Sequence, residues 1–584
     1  MKLKKLIVIV GMLFITLAVV SAFTVLSLES DQCEDCLPEG CTSILVGKDA
    51  STDGSTMVTH TCDCGVCDWT WYHVPAKDHK PGEKRKIYHI SQYFTWPPEQ
   101  GLKWERYKDN YADLEIPEVE HTYAFKHGMF GYMNENQVAL GESTIGCRRK
   151  MRNSTPSAKI DLTMLSILGM ERARTAREII QIMGDLACTY GYGFNDGGEM
   201  LAVADQDEVW IFEIMPVGPL WTPESGKPGA VWCAQRVPDD HVGVTPNESR
   251  IGEIDLDNKN YFMASENVKQ VAIDMKFWDP NIGEPFNWKR AYSPSPGSAA
   301  GTQGRRGRIW RFLSLVAPSR NFSDQTEGMN FPFSVKPDKK LSVRDVMNIT
   351  RDKLQGSKYD PVSGIKGGPF KNPNYYRGFK IDDKQYNGPR CICVNNVEYT
   401  TLIQCRSWLP DPIGGIIWLS FGAQDTACYM PIYNGSQDVP ESFKIGDHWK
   451  FNRDAARWAF DYVDYHTQVI YSHAIEDVKK VQEKWEGGAV KNTPLIDKTA
   501  QKLYKQDPAR ALEFLTDYTI NYANSVVKAW WDLGDFLLVK YNHFRFYDSK
   551  TRKTKRLRTP DWWNRAVVEQ DKLEPLPQAK PKKK

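Results

Sequence analysis

Beyond about residue 440 this chain stops alternating between strand-like and helix-like stretches. Residues 455–485 and 499–541 carry helix-period apolar positions and no strand signal. Before that point the two periods are interleaved, and each demands a different burial surface: a sheet face for a period of 2, a helix stripe for 3.6. Strands and helices followed by helices alone fit an α+β core with a helical extension. With 584 residues, 41% of them hydrophobic, the chain can bury one large continuous core. Its formal net charge of +2 supplies no electrostatic reason to expect a nucleic-acid partner.

Residues 43–48 (SILVGK) read as a buried strand, 49–54 (DASTDG) as a turn, and 55–61 (STMVTHT) as a returning strand. Together they form a β-hairpin that begins at Cys41. Short strands are expected within 123–132 and 137–141, and a helix in two pieces over 161–187. The second piece opens on Thr175 and Glu178, the spacing of a capping box. A hairpin follows at 200–204 and 209–214, a capped helix at 342–354, and late strands at 416–421 and 427–431. Residues 291–308, rich in Ser, Pro, Gly and Arg, read as a long loop, and the basic stretches 550–558 and 580–584 as a solvated tail.

The N-terminus carries an address. Lys2, Lys4 and Lys5 precede an uncharged apolar run over 6–20 and then Val20-Ser21-Ala22. This is the pattern of a secretory signal peptide; the uncharged stretch continues to Leu28, long enough for an uncleaved anchor instead. Export to a periplasmic, secreted or cell-surface location makes the 13 cysteines readable as disulfide candidates, and their odd number leaves at least one over. The spacing of Cys62, Cys64 and Cys67, with Cys33 and Cys36 upstream, also admits a zinc reading; disulfides are the stronger account in an exported chain.

The cysteine of most interest is Cys41, which follows Gly40 at the mouth of the first hairpin. A thiol is a usable nucleophile once a base takes its proton. If the bond before Cys41 is cut, its own α-amine, titrating near pH ~7.7–8.0, can be that base. A glycine before the nucleophile tolerates the backbone distortion of self-cleavage.

The stretch CTSILVGKDASTDGS at 41–55 resembles the N-terminal signature of the bacterial dipeptidase A family. That family is related to the secernins and, more distantly, to penicillin and bile-salt amidases. Later blocks resemble it in order: GYMNENQV at 131–138, GEST at 141–144, AVAD at 202–205, EVWIFE at 208–213 and VWCAQRVP at 231–238. NESRI at 247–251, RIWR at 308–311, RSWLP at 406–410 and YMPIYNG at 429–435 continue the series. The resemblance implies a four-layer αββα sandwich of the N-terminal-nucleophile hydrolases, removal of a propeptide, and hydrolysis of dipeptides or short peptides by Cys41. It implies no metal or organic cofactor. The resulting division is a signal or anchor at 1–22, a propeptide at 23–40, a catalytic domain at 41–440, a helical extension at 441–545 and a basic tail at 546–584.

In the amidase relatives an Arg-x-x-Asp flanks the nucleophile; the matching stretch here runs from His60 to Asp63. The resemblance therefore assigns Asp63 to orient the thiol or α-amine, with His60 in the place of the arginine. Ser143 and Thr144 fall near the relatives' oxyanion asparagine, where no Asn matches, and Asn134 reads as structural. Arg236, Arg250 and Arg406 are candidates to clamp a peptide carboxylate. Gly40 and Cys41 form the processing junction. Two other readings stay open: an acyl-amide amidase or acyltransferase on the same fold, and a non-enzymatic surface protein like some secernin relatives. A membrane is expected only through an uncleaved N-terminal segment, and the chain leaves homo-oligomer formation open. Five Asn-x-Ser/Thr sequons, at Asn153, Asn247, Asn321, Asn348 and Asn434, matter only in a glycosylating host.

Overall fold

The computed structural model describes residues 40–89, 111–152, 158–193, 197–294, 304–326, 330–376, 378–386, 388 and 390–576. Two compact units are distinguished, one formed by Gly40–Arg377 with Gly388–Lys584 and the other by Met1–Glu39 with Gly378–Asn387. The described part of the second is a small hairpin, Phe379–Ile381 against Lys384–Tyr386. The first holds Cys41 and the two large sheets.

These sheets have six and eight strands. In chain order the strands are β1 (Ser43–Val46), β2 (Thr56–Thr61), β3 (Tyr72–Val74), β4 (Phe125–His127), β5 (Gly131–Asn134), β6 (Ala139–Ile145) and β7 (Gly198–Ala204). Then come β8 (Val209–Pro216), β9 (Ala230–Val237), β10 (Val242–Thr245), β11 (Phe262–Ala264), β12 (Tyr399–Cys405), β13 (Ile416–Phe421) and β14 (Met430–Tyr433). The six-stranded sheet runs β10-β1-β2-β12-β13-β14, and the eight-stranded one β11-β9-β8-β7-β6-β5-β4-β3. β1 and β2 pair antiparallel with Leu45 opposite Val58, the expected hairpin.

Alternation along the strands shows where the layers lie. Leu45, Val58, Ile403 and Ile417 belong to one buried cluster with the eight-stranded sheet. Their neighbours Ile44, Met57, Leu402 and Ile416 belong to a second, with Ile309, Phe312 and Met347 of the helices α3 (Gly304–Val316) and α4 (Val343–Thr350). A strand buried on both faces has no polar side to show, so SILV and IIWLSF read as continuous apolar runs. Where the two sheets meet, Gly141 of β6 has no room for a side chain: a Cβ there would lie 2.2 Å from the Thr59 carbonyl oxygen of β2. The helices α1 (Leu162–Arg172) and α2 (Ala176–Tyr190) pack on the eight-stranded sheet.

The late helices are α5 (Ala456–Val469), α6 (Tyr471–Gln482), α7 (Gly488–Gln506) and α8 (Pro508–Tyr541). They share the same cores rather than forming their own. Phe460, Val463 and Trp530 join the cluster between the sheets, while Ala489, Ala500 and Leu515 join the other. α8 lies along β14, and the indole of Trp530 donates to the Thr426 carbonyl at 3.0 Å.

Several expectations need correction. Thr175 caps α2 as expected, but the Glu178 carboxylate takes the Arg174 amide rather than that of Thr175, so the box is half made. The box is complete at Ser342 and Asp345. The long loop ends sooner than expected, since residues 304–308 already belong to α3. The basic tail contains a hairpin, Arg545–Asp548 against Lys553–Arg556, and a helix, Asp561–Asp571; alternating Lys, Thr and Arg gave no apolar signal for its strands. Among the described residues no helix is long and apolar enough to cross a membrane. The expected signal or anchor, Cys33, Cys36 and the basic 580–584 lie outside the described residues.

Among the described residues, the cysteines read as disulfide candidates include both paired and free ones. Cys64 and Cys67 form a disulfide, which removes two ligands from the zinc reading. Cys41, Cys188, Cys233, Cys391, Cys393, Cys405 and Cys428 are free thiols. Cys233, Cys405 and Cys428 are fully buried and serve as small apolar core residues.

Candidate active site

Cys41 stands just before β1, and the β1–β2 ladder continues past it towards the N-terminus. Thr42 and Thr61 bridge the two strands, and the Gly40 amide donates to the Asp63 carbonyl at 3.2 Å. Residue 41 is therefore held between two strand ends, not at the tip of a free arm. Its carbonyl accepts from Ser143 Oγ at 3.2 Å and Arg308 Nη1 at 2.8 Å.

The Cys41 thiol shares its surroundings with His60 of β2 and Glu142 of β6. One ligating atom from each of the three lies within 4.8 Å of the others, and all three residues are buried. These groups are close enough to hold a metal ion, and equally to pass a proton. His60 Nε2 lies 3.3 Å from Glu142 Oε2, and Nδ1 lies 2.7 Å from the Tyr132 hydroxyl. Tyr132 in turn meets the Tyr399 hydroxyl at 2.8 Å, which accepts the Met129 amide at 2.9 Å. His60 is thus oriented by a chain of hydroxyls running between the sheets.

Burial pushes the Glu142 carboxyl up, but His60, 3.3 Å away, outweighs it and holds the group below the ordinary glutamate range. Glu199 is its neighbour on β7, where Thr144 lies opposite Glu199. Burial, then the Glu142 charge, pushes Glu199 well up. Two carboxyls sharing one site cannot both ionise easily, so Glu142 carries the charge and Glu199 the proton. The Cys41 thiol is pushed well up by burial and next by the Glu142 charge. With its nitrogen still in a peptide bond, the thiol therefore stays protonated.

Asp63, beyond the end of β2, pairs with Arg390 through Oδ2, while its buried Oδ1 has no hydrogen-bond partner among the described residues. Burial raises its carboxyl, opposed by the charges of Arg390 and Arg308. Arg308 reaches in from α3. Its Nη1 donates to Gly40 O at 3.2 Å and Thr42 Oγ1 at 2.7 Å, and its Nη2 to Pro246 O at 3.1 Å and Asn247 Oδ1 at 2.7 Å. Asn247 sits at φ 62°, its amide bound by Ser143 Oγ at 2.9 Å and its Nδ2 donating to Thr144 O at 2.9 Å. The next turn is pinned by the buried Glu213 of β8, which accepts from Arg250 N at 2.6 Å, Ile251 N at 3.1 Å, Trp288 Nε1 at 2.7 Å and Ser249 Oγ. Gly40 has a steric reason beyond flexibility: a Cβ on it would lie 2.3 Å from Asn247 Oδ1.

Of the expected site residues, the structure brings Cys41, His60, Asp63 and Gly40 together. The proposed carboxylate clamps have other partners. Arg236 binds Asp239 at 2.7 Å and faces Glu208 at 3.4 Å. Arg406 binds Asp497 at 2.6 Å and the carbonyls of Gly414 and Ile413. Arg250 donates to the carbonyls of Pro332 and Phe333. Asn134 is structural, donating to Met170 and Ala173 carbonyls at 2.9 and 2.7 Å. The arginines at the Gly40–Cys41 junction are instead Arg308, on both carbonyls, and Arg390, on that of Gly40. Arg308, Glu142 and Asn247 lie in blocks that carried the family resemblance without standing out in them; Arg390 lies in no recognisable motif.

Comparison with known proteins identifies the family. The chain is 24% identical over 417 residues to a "Probable dipeptidase" of Latilactobacillus sakei, covering 69% of this chain and 76% of that protein. It is 26% identical over 420 residues to a "Probable dipeptidase B" of Lactococcus lactis subsp. lactis (strain IL1403), with the same coverage of 69% and 76%. A "Probable dipeptidase B" of Streptococcus pyogenes serotype M1 is 24% identical over 524 residues, 88% of this chain and 94% of that protein. The model of peptidase family C69 matches residues 40–484, beginning at the glycine before Cys41. The chain belongs to peptidase family C69.

Proposed function

We propose that this protein is an exported cysteine dipeptidase whose nucleophile, Cys41, becomes residue 1 when the chain is cut after Gly40. Membership in a peptidase family and the names of its relatives support dipeptides or short peptides as substrates. Two buried sheets with helices on each support the αββα sandwich of N-terminal-nucleophile hydrolases. The N-terminal address over residues 1–22 supports export.

The observation that carries the mechanism is the placement of Cys41: a buried thiol beside Glu142, with the nitrogen-side neighbour Gly40 bonded to Asp63. Cutting the 40–41 bond turns an amide nitrogen into an amine next to Asp63, whose free Oδ1 can accept from it. The amine takes the thiol proton, and the resulting ammonium offsets the carboxylate charges that held the thiol protonated. The thiolate attacks the substrate carbonyl, the amine returns the proton to the leaving nitrogen, and water releases the acyl group from the thioester. His60, fixed by Tyr132, keeps Glu142 ionised and in place.

Intact-mass analysis of the exported protein tests this reading, with Cys41 expected at the new N-terminus. Cys41→Ala should lose dipeptide hydrolysis altogether. A mature chain that still begins before Gly40, or an active alanine variant, would overturn it.

A further inference from the structure

The Gly40 carbonyl oxygen accepts hydrogen bonds from two guanidinium groups, Arg390 Nη2 at 2.5 Å and Arg308 Nη1 at 3.2 Å. One cation on a backbone carbonyl is a common structural contact; two on the same buried oxygen are electrostatically wasteful unless negative charge develops there. Burial works against the charge of Arg308, and the two guanidiniums also repel each other. Asp63 forms its ion pair with Arg390, and its single charge, which also reaches Arg308, cannot neutralise both guanidiniums. Arg308 has no carboxylate among its hydrogen-bond partners in the described residues; it is satisfied by Gly304, Gly40, Cys41 and Pro246 carbonyls, Thr42 Oγ1 and Asn247 Oδ1. A net positive charge is therefore focused on the carbonyl of the bond that the proposed function requires to be broken. Preorganised donors aimed at an oxygen that becomes an oxyanion are the largest single source of acyl-transfer catalysis.

We infer that Arg308 and Arg390 are the oxyanion-stabilising pair for self-cleavage of the Gly40–Cys41 bond. The inference rests on the reading of Cys41 as residue 1 of the mature chain. Glu142, charged and with a carboxylate oxygen within 4.8 Å of Sγ, takes the Cys41 proton as Sγ adds to the Gly40 carbonyl carbon, so that no free thiolate has to form first. The oxygen becomes an alkoxide held by both guanidiniums. Collapse breaks the bond from that carbon to the Cys41 nitrogen, which receives the proton from Glu142 and becomes an amine. Gly40 is then joined to Cys41 by a thioester. Water hydrolyses the thioester, leaving a carboxylate on Gly40 and a free thiol and amine on Cys41. Gly40 serves this geometry because any side chain on it would displace Asn247, the partner of Arg308.

Cell-free synthesis of the full chain, followed over time by intact mass, tests the pair. The wild-type chain should split between Gly40 and Cys41, and added hydroxylamine should trap the thioester as a hydroxamate on Gly40. Arg390→Met and Arg308→Met should each slow cleavage about a hundredfold and yield no trapped hydroxamate in that time. Arg390→Lys and Arg308→Lys retain a cation with fewer donors and should slow it about tenfold. Thermal unfolding of each uncut chain is compared with that of uncut Cys41→Ala. Should the methionine variants not fold, the lysine pair decides, and cleavage at the wild-type rate in both would overturn the proposal. Arginine variants that cut normally while Cys41→Ala stays intact would remove the arginine pair but leave Cys41 as its own processing nucleophile. Normal cutting of Cys41→Ala would remove both.

Discussion

Glu142 and His60 meet at 3.3 Å between two sheets, one residue from each, and neither is exposed to solvent. A histidine on β2 and a glutamate on β6 are brought together because Gly141 lets β6 approach the β2 backbone. The contact helps set the charge state of the pocket: His60 keeps Glu142 ionised, and burial together with the Glu142 charge keeps Glu199 protonated.

That arrangement gives opposite pH signatures for the two carboxyls. The depressed Glu142 contributes stability that is present above the ordinary glutamate value of about 4.3 and is lost as pH falls through its lower folded value. Glu142→Gln should flatten the acid side of the stability profile. Glu199 is raised, so folding binds a proton and stability declines with rising pH by up to about 1.4 kcal/mol per unit until its folded value is reached. Glu199→Gln should remove that decline. Urea denaturation at a series of pH values measures both.

Gly40→Ala puts a methyl group where Asn247 Oδ1 already lies, and Asn247 is held by Arg308, Ser143 and Thr144. Overpacking of this kind costs about 1–3 kcal/mol. The scissile carbonyl should shift off its donors, and cutting after residue 40 should slow at least about tenfold. Time-resolved intact mass reads this directly; an unchanged rate would mean the junction has more room than the structure allows.

Glu213→Ala leaves two backbone amides, an indole and a hydroxyl without their buried acceptor. Each unmet donor costs about 1–3 kcal/mol before relaxation or water entry, and a net loss of about 3 kcal/mol is expected from chemical denaturation. Asn247 sits two residues before this turn, so processing should also slow. Glu213→Gln keeps an acceptor oxygen and should lose less than half as much stability.

The disulfide between Cys64 and Cys67 closes a loop with a sequence separation of 3. Cross-linking so short a segment removes little freedom from the unfolded chain, about 2 kcal/mol in the chain-entropy model. Melting with and without reductant should therefore differ by only a few degrees, and Cys64→Ser should behave like the reduced protein. A much larger shift would show that the segment after Asp63 has a second role in the fold.

Legibility in the sequence followed the range of the interactions. The β1–β2 hairpin, the hairpin at 200–214 and the helix pair over 161–187 were readable because their signals are local: apolar period, turn residues and caps within a few positions. Asp63 and His60 came to notice only through the resemblance of 60–63 to the amidase Arg-x-x-Asp; His60 lies on β2 and Asp63 just beyond its end. Arg308 and Arg390 reach Gly40 from 268 and 350 residues away, and no local pattern marks a side chain whose partner is so distant. Arg236 and Arg406 illustrate the reverse error. An arginine inside a family block suggested recognition, whereas the fold supplies each with its own carboxylate. The hairpin at 545–556 was missed because its second strand, KTKR, is exposed throughout and so has no apolar face to give it away.

Arg308 has a consequence for what the proposed cut would leave behind. An end created inside a folded chain ordinarily frays, since its first residues lose the neighbours that held them. Here the guanidinium grips the Cys41 carbonyl and the Thr42 hydroxyl, both of which stay with the protein after the bond before them is gone. On the proposed cut the new first residue would be moored from the start, and a terminus, usually the loosest point of a protein, would become its most exactingly placed one.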